Sequence, residues 1–253
     1  WYRKHFVLDK TSTGKEVFIQ FDGVYMNADV WINGHHLGNH PYGYTSFYYD
    51  LTPYLKSAGQ LNVIAVEVKN EGRNSRWYSG SGIYRHVWLT TVNATHIQTW
   101  GTYITTPAVS EKSADVHIET AIENHARNKT PLSVVIELYN ASGKLEATGK
   151  QNIAVTADSV INIKQNILVQ NPGLWSIDKP QLYQAKTKLI QDGKVVDETV
   201  SSFGIRAIHF DAQTGFTLNG KMIKLHGGCI HHDNGPLGAA AIDRAEERKI
   251  ELL

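Results

Sequence analysis

The chain has 253 residues, of which 42% are hydrophobic and 19% are charged, and this balance excludes a disordered chain and suits one large domain or two ordinary ones. The formal net charge is +1, from 25 basic and 24 acidic residues that are dispersed along the chain, which excludes the electrostatic footprint of a nucleic-acid-binding protein. The single cysteine, Cys229, excludes an intrachain disulfide, and no apolar run approaches the roughly 18 residues of a membrane span.

The first predicted block covers residues 1–92 and consists of strands and turns. Apolar and polar residues alternate over 17–21 and again over 28–32, which is the period of half-buried strands. The dipeptide Asn33-Gly34 then predicts a hairpin, and the nearly continuous apolar run at 61–68 suits a central strand. Because no helical period interrupts this block, we expect an antiparallel sandwich or jelly roll.

The second predicted block covers residues 93–206. Alternation recurs over 116–122, 132–138 and 183–189, and turn residues separate these runs. The block holds about seven short strands at regular spacing, as in an immunoglobulin-like sandwich.

The third predicted block, residues 207–253, combines a short strand at 224–229 that ends in glycines with a helix that begins at Asp243. Glu246 lies three residues further on, which is the spacing of a capping box. A lone strand and a lone helix cannot bury their apolar faces. We therefore expect the first βα unit of a larger, truncated α/β domain.

Five stretches of the chain together resemble glycoside hydrolase family 2, the family of β-galactosidases, β-glucuronidases and β-mannosidases. They are Phe-Asp-Gly-Val-Tyr with Ala-Asp-Val-Trp-Ile-Asn-Gly in 21–34, Gly through Tyr to Phe-Tyr-Tyr-Asp-Leu-Thr in 38–52, Arg-Trp-Tyr-Ser-Gly-Ser-Gly-Ile-Tyr-Arg in 76–85, Leu-Trp-Ser to Phe-Gly-Ile-Arg in 174–206, and Leu-Asn-Gly-Lys to His-Gly-Gly-Cys-Ile-His-His-Asp in 218–233. They follow the family's order, and the ending of the fifth is similar to the β-galactosidase-like branch.

The resemblance implies a mainly β fold in three parts. Residues 1–92 would form a jelly-roll sugar-binding-type domain that lacks its early strands, and residues 93–206 an immunoglobulin-like sandwich. Residues 207–253 would begin a (β/α)8 TIM-barrel catalytic domain that is truncated here. The start at Trp1, with neither an initiator methionine nor an apolar signal segment, is expected to be a cut or processed end.

The resemblance also implies hydrolysis with retention of configuration by a pair of glutamates, one acid/base and one nucleophile. Both belong to later barrel strands of the family, so we expect them beyond residue 253 and expect this chain alone to be inactive. Glu246, Glu247 and Glu251 would lie on the outside of the first barrel helix, so no residue of this chain is predicted to be catalytic.

Three residues are predicted to bind substrate. In the family, a histidine that matches His231 lines the pocket and hydrogen-bonds sugar hydroxyls, since imidazole can both donate and accept. Asp233 could bind a hydroxyl pair or orient a histidine. Several members carry an aspartate where this chain has Arg76. An arginine can only donate hydrogen bonds, so the substrate could be a charged or modified sugar.

The sequence is also compatible with functions other than sugar hydrolysis. His226, Cys229, His231, His232 and Asp233 have the side chains of a Zn²⁺ site, but adjacent residues of an extended segment point in opposite directions. The two sandwiches could instead be non-catalytic carbohydrate-binding modules. Cys229 has no defined base partner, so a buried thiol is expected rather than a nucleophile.

The expected partner is a carbohydrate, with neither nucleic acid nor a membrane span, and the parent enzyme could be a homo-oligomer. No cofactor is expected to be required, although Mg²⁺ or Na⁺ could accompany the parent enzyme. The compartment stays open between export or the periplasm and the bacterial cytoplasm, and family analogy favours export.

Overall fold

A computed structural model describes residues 1–72 and 79–253 of the chain. It divides into two compact units, one formed by Trp1–Val92 with Gly228–Leu253 and the other by Asn93–Gly227. The division between residues 92 and 93 falls where the sequence predicts a domain boundary. The segment 207–253, which we expected as one piece, is shared between the two units.

Nine strands form the sandwich of the first unit within its described residues. They are β1 (Tyr2–Val7), β2 (Glu16–Phe21), β3 (Val24–Tyr25), β4 (Ala28–Ile32), β5 (His35–His40), β6 (Phe47–Asp50), β7 (Leu61–Val68), β8 (Gly82–Ile83) and β9 (Val87–Val92). One sheet has the order β1-β7-β4-β5, the second has the order β6-β2-β9, and β3 pairs with β8. All pairs are antiparallel.

The alternating pattern of the sequence is the cause of this sandwich. On β4 every second side chain, Ala28, Val30 and Ile32, is fully buried, while Asp29 and Trp31 between them are partly exposed. The buried side chains of both sheets form one apolar core, because each sheet must cover its apolar face with the other. The run at 61–68 is the inner strand β7, as predicted.

The Asn33-Gly34 turn joins β4 to β5 as predicted. Both residues have positive φ, 49° and 88°, which these two residue types tolerate and a tight hairpin requires. The Asn33 side chain also donates to the backbone oxygen of Tyr54 at 2.9 Å and accepts from the backbone N–H of Val63 at 3.0 Å. The turn is thereby tied to the neighbouring strand and loop.

An open apolar groove of about 500 Å³ lies between β1 and β9. Phe6, Phe21 and Val66 contribute to its lining together with Trp88, which is 50% exposed. The sandwich is therefore open along one side, where core-type side chains meet solvent.

The second unit contains a sandwich of seven strands in 93–206, a range that the structure describes throughout. They are β10 (Thr95–Val109), β11 (Ser113–Asn124), β12 (Thr130–Tyr139), β13 (Leu145–Val155), β14 (Ser159–Gln170), β15 (Tyr183–Gln191) and β16 (Lys194–Phe203). The sheet β10-β11-β14 faces the sheet β13-β12-β15-β16 across two apolar clusters. The predicted immunoglobulin-like sandwich is confirmed.

A small sheet completes the second unit. It is formed by β17 (Ile208–Asp211), β18 (Gly215–Leu218) and β19 (Lys221–Met222). The predicted strand at 224–229 is wrong: residues 223–230, all of them described, have irregular backbone. A strand needs a neighbour for its backbone hydrogen bonds, and none of the described strands pairs with this segment.

The predicted C-terminal helix is confirmed as α1 (Asp243–Leu252). The predicted capping box is wrong, because Ile242 occupies the N-cap and makes no side-chain cap. Asp243 lies in the first turn instead, where its charge favours the helix N-terminus. Ile250 and Leu252 are about 70% exposed. Among the described residues, no helix has both the length and the apolar character to cross a membrane.

Asn124 → Leu should destabilise the second unit by about 3 kcal/mol or more, because several buried polar groups would lose their partner. The fully buried Asn124 side chain donates to the backbone oxygens of Val155 and Thr156, each at 3.1 Å, and accepts from the Thr95 hydroxyl at 2.7 Å. Urea denaturation followed by circular dichroism measures the change. Asn166 → Leu, on the exposed side of β14, is the control and should stay within about 0.5 kcal/mol of wild type. Equal urea midpoints for the two variants would contradict the stabilising role of the Asn124 hydrogen bonds.

Candidate functional site

Three tyrosines surround the imidazole of His232 in the first unit. The ring centroids of Tyr44, Tyr84 and Tyr25 lie 5.3, 5.8 and 6.5 Å from that of His232. The Tyr44 ring meets the imidazole edge-on at 74°, the Tyr84 ring is tilted by 53°, and the Tyr25 ring is nearly parallel at 23°. These are favourable geometries for aromatic contacts, so His232 is held from three directions.

Two glycines allow the tyrosine rings to pack this closely. A Cβ atom on Gly43 would lie 2.3 Å from the Tyr25 ring, and a Cβ on Gly23 would lie 2.6 Å from the Tyr84 ring. The Tyr84 hydroxyl donates to the backbone oxygen of Gly43 at 2.9 Å. Burial raises the pKa of Tyr84 above its usual value, so the phenol keeps the proton that this hydrogen bond uses.

Further contacts hold the C-terminal segment against the sandwich within the same unit. The backbone N–H of Ala241 donates to the backbone oxygen of Tyr84 at 2.9 Å. His86 Nε2 lies 2.8 Å from Asp243 Oδ1. Gly80 approaches Ala239 so closely that a Cβ on the glycine would lie 2.5 Å from the alanine methyl.

Asn234 closes the loop that leads from the histidines to α1. Its side-chain amide donates to the backbone oxygen of Ala240 at 3.1 Å and to Glu246 Oε1 at 2.6 Å. Lys249 contacts Glu246 at 2.8 Å and the backbone oxygen of Asp233 at 3.4 Å. Burial acts to raise the pKa of Glu246, but the hydrogen bonds from Lys249 and Asn234 outweigh it and lower the pKa. Glu246 is therefore an ionised structural group.

The structure places two of the three predicted substrate-binding residues on either side of His232. His231 precedes His232 in the chain and is exposed, and Asp233 follows it and is partly buried. This pair offers the donor and acceptor groups that bind hydroxyls. Arg76 lies outside the described residues.

The other acidic side chains of α1 are engaged on its surface. Glu247 and Glu251 contact Arg244 at 2.7 and 2.9 Å, and both are exposed. Within 1–72 and 79–253, no group of three or more His, Cys, Asp or Glu residues is arranged to hold a metal ion. Cys229 is exposed, so the expectation of a buried thiol is wrong, because the irregular segment around it lacks a covering layer.

Sequence reasoning missed the residues that hold His232 and Asp243. Tyr25, Tyr44 and Tyr84 lie in the first three of the stretches that carry the family resemblance, and His86 follows directly. The position of these residues in or next to the family-like stretches was the sequence signal that could have pointed to them. Their convergence on one imidazole depends on the tertiary fold, and no spacing in the sequence encodes it.

Comparisons with known proteins agree with the fold. Residues 1–93 match the family model "Glycosyl hydrolases family 2, sugar binding domain", and residues 95–206 match the model "Glycosyl hydrolases family 2". The whole chain is 46% identical to a β-galactosidase, BoGH2A, of Bacteroides ovatus and 39% identical to a β-glucuronidase of Formosa agariphila. It covers 30% of the first protein and 28% of the second.

A solved structure is also similar over the whole chain. It is a glycosyl hydrolase family 2 member from Bacteroides cellulosilyticus, with 49% identity and a TM-score of 0.96, and the chain covers 35% of it. The two sandwiches lie in the ranges that the two glycosyl hydrolase family 2 models match. The chain belongs to glycoside hydrolase family 2 and spans about a third of the length of these relatives.

Gly43 → Ala should lower the thermal unfolding midpoint of the first unit, because the new methyl group would displace the Tyr25 ring, which is only 3% exposed. Overpacking of this kind costs about 1–3 kcal/mol. Differential scanning calorimetry measures the midpoint. Gly228 → Ala is the matched control in the same unit, because a Cβ there would meet nothing within 4 Å. A Gly43 → Ala midpoint equal to that of the control would contradict the packing described here.

Proposed function

We propose that the chain is the N-terminal portion of a retaining exo-β-glycosidase that hydrolyses terminal β-linked galactose. The observation that carries the proposal is the 46% identity to the B. ovatus β-galactosidase along the entire chain, which includes the segment with His231 and Asp233. The acid/base and nucleophile glutamates belong to the remainder of the protein, so this chain alone is inactive.

In this proposal the chain contributes to the wall of the sugar pocket. His231 donates to or accepts from a sugar hydroxyl, and Asp233 accepts from a hydroxyl pair or orients a histidine. Support comes from their position next to an anchored His232 and from the exposure of His231 in the described structure. Arg76 is proposed as a further substrate contact on sequence alone, because its guanidinium can donate to hydroxyls or pair with a charged sugar.

A β-glucuronidase is the second candidate. The whole chain is 39% identical to the F. agariphila β-glucuronidase, and an arginine at position 76 suits the carboxylate of a uronic acid. A β-mannosidase of the same family and a non-catalytic carbohydrate-binding pair of sandwiches are the remaining alternatives, and a homo-oligomeric parent stays a prediction.

We also propose the domain limits 1–92, 93–206 and 207–253, with the last segment as the start of a (β/α)8 barrel. The exposed Ile250 and Leu252 of α1 support this, because a barrel helix buries such side chains against its strands. The apolar groove between β1 and β9 is where early strands of the jelly roll would pack.

An assay of glycosidase activity tests the function directly. The longest natural polypeptide that contains these 253 residues is compared with the 253-residue chain on the 4-nitrophenyl β-glycosides of galactose, glucuronic acid and mannose. We expect the long polypeptide to cleave the galactoside and the short chain to cleave none. Cleavage of the glucuronide alone would replace the proposal by the second candidate. Cleavage by the short chain would refute the assignment of catalysis to later residues, and inactivity of both would favour the binding module.

His231 → Ala in the long polypeptide should lower kcat/KM by about fivefold or more, since one hydrogen bond to a sugar hydroxyl contributes about 1–3 kcal/mol. Initial rates on the preferred nitrophenyl glycoside measure the effect. His209 → Ala is the matched control, because His209 is also exposed and lies 3.4 Å from an aspartate, Asp211. A kcat/KM for His231 → Ala within about twofold of wild type would show that His231 does not contact the sugar.

A further inference from the structure

We propose that Tyr25, Tyr44 and Tyr84 are positioning residues that hold the imidazole of His232 and thereby fix His231 and Asp233 at the pocket wall. This inference rests on the proposed function. It assigns to the jelly-roll domain a direct part in the geometry of the site, beyond the stability of its own fold.

The three tyrosine rings come from separate parts of the sandwich. Tyr25 is the last residue of β3, Tyr44 lies between β5 and β6, and Tyr84 follows β8. The strands β3 and β8 pair with each other, with Tyr25 opposite Gly82. Tyr25 therefore lies on the strand pair and Tyr84 directly follows it, whereas Tyr44 lies on the loop between β5 and β6.

The tyrosine rings also pack on one another. The centroids of Tyr25 and Tyr44 are 5.2 Å apart, and those of Tyr44 and Tyr84 are 6.5 Å apart. Tyr44 is thus the central member, in contact with both other tyrosines and with His232. Loss of its ring would leave a gap beside the imidazole, whereas loss of its hydroxyl alone would leave these ring contacts in place.

An anchored His232 also constrains the positions of the residues next to it in the chain. Consecutive Cα atoms are held about 3.8 Å apart, so residues on either side cannot move far while His232 is held. On the C-terminal side, the contacts of Asn234 and Lys249 hold the loop as well. On the N-terminal side, residues 223–230 have irregular backbone. The aromatic contacts of His232 therefore act on the residue that directly follows His231 and directly precedes Asp233.

The decisive experiment uses Tyr44 → Leu and Tyr44 → Phe in the long polypeptide. Tyr44 → Leu should lower kcat/KM by about tenfold or more, mainly through kcat, because a misplaced binding group weakens transition-state contacts. Tyr44 → Phe keeps the ring and should remain within about twofold of wild type. Tyr54 → Leu is the matched control: it removes another tyrosine–histidine stack of the same unit, with His35 at 4.9 Å, and should leave kcat/KM unchanged.

A double-mutant cycle separates positioning from general destabilisation. If Tyr44 acts through His231, Tyr44 → Leu should cost much less in the His231 → Ala background than in wild type, since coupled residues are not additive. Full additivity of the two losses would overturn the proposal. So would a wild-type kcat/KM for Tyr44 → Leu.

Hydrogen exchange keeps this test independent of the proposed function. Mass spectrometry should show faster amide exchange in peptides covering 231–240 for Tyr44 → Leu than for Tyr44 → Phe or Tyr54 → Leu, because the segment loses its anchor. If the long polypeptide cleaves none of the three glycosides, the proposed function fails and the exchange data still decide whether the tyrosines hold the segment. Unchanged exchange in Tyr44 → Leu would overturn the positioning role.

Discussion

The structure depends first on the burial of one apolar face per sheet. Strands such as β4 bury every second side chain completely, and each unit contains two sheets that cover each other's apolar faces. This arrangement leaves the loops and short strand pairs at the ends of the sandwich to carry polar and aromatic side chains. The cluster around His232 is one such place, since it combines a two-stranded pair with loops and the C-terminal segment.

The five stretches that carry the family resemblance meet in two separate clusters. The first three stretches and the end of the fifth meet at His232. The fourth meets the beginning of the fifth within the second unit, where the Arg206 guanidinium lies 5.0 Å from the centre of the Trp175 ring and Asn219 donates to the Trp175 backbone oxygen at 3.0 Å. Several described residues of these stretches therefore hold irregular segments in place.

The C-terminal segment is held by contacts of unlike kinds. Aromatic packing holds His232, a backbone hydrogen bond holds Ala241, and a 2.8 Å side-chain contact joins His86 to Asp243. The helix that follows has no buried residue. The anchoring contacts to the sandwich therefore end near the beginning of α1, and Ile250 and Leu252 beyond them are exposed.

The sequence by itself determined β2, β4 and β7 of the first sandwich, β11, β12 and β15 of the second, the hairpin at Asn33-Gly34 and the position of α1. Hydrophobic period and turn residues act over a few neighbouring positions, so they can be read locally. It also identified the segment with His231 and Asp233. Only the tertiary structure decided that residues 224–229 are irregular, that Asp243 pairs with His86 instead of capping the helix, and that Tyr25, Tyr44 and Tyr84 enclose His232. Each of these depends on partners that lie far apart in the chain, and local patterns contain no information about which distant groups will meet.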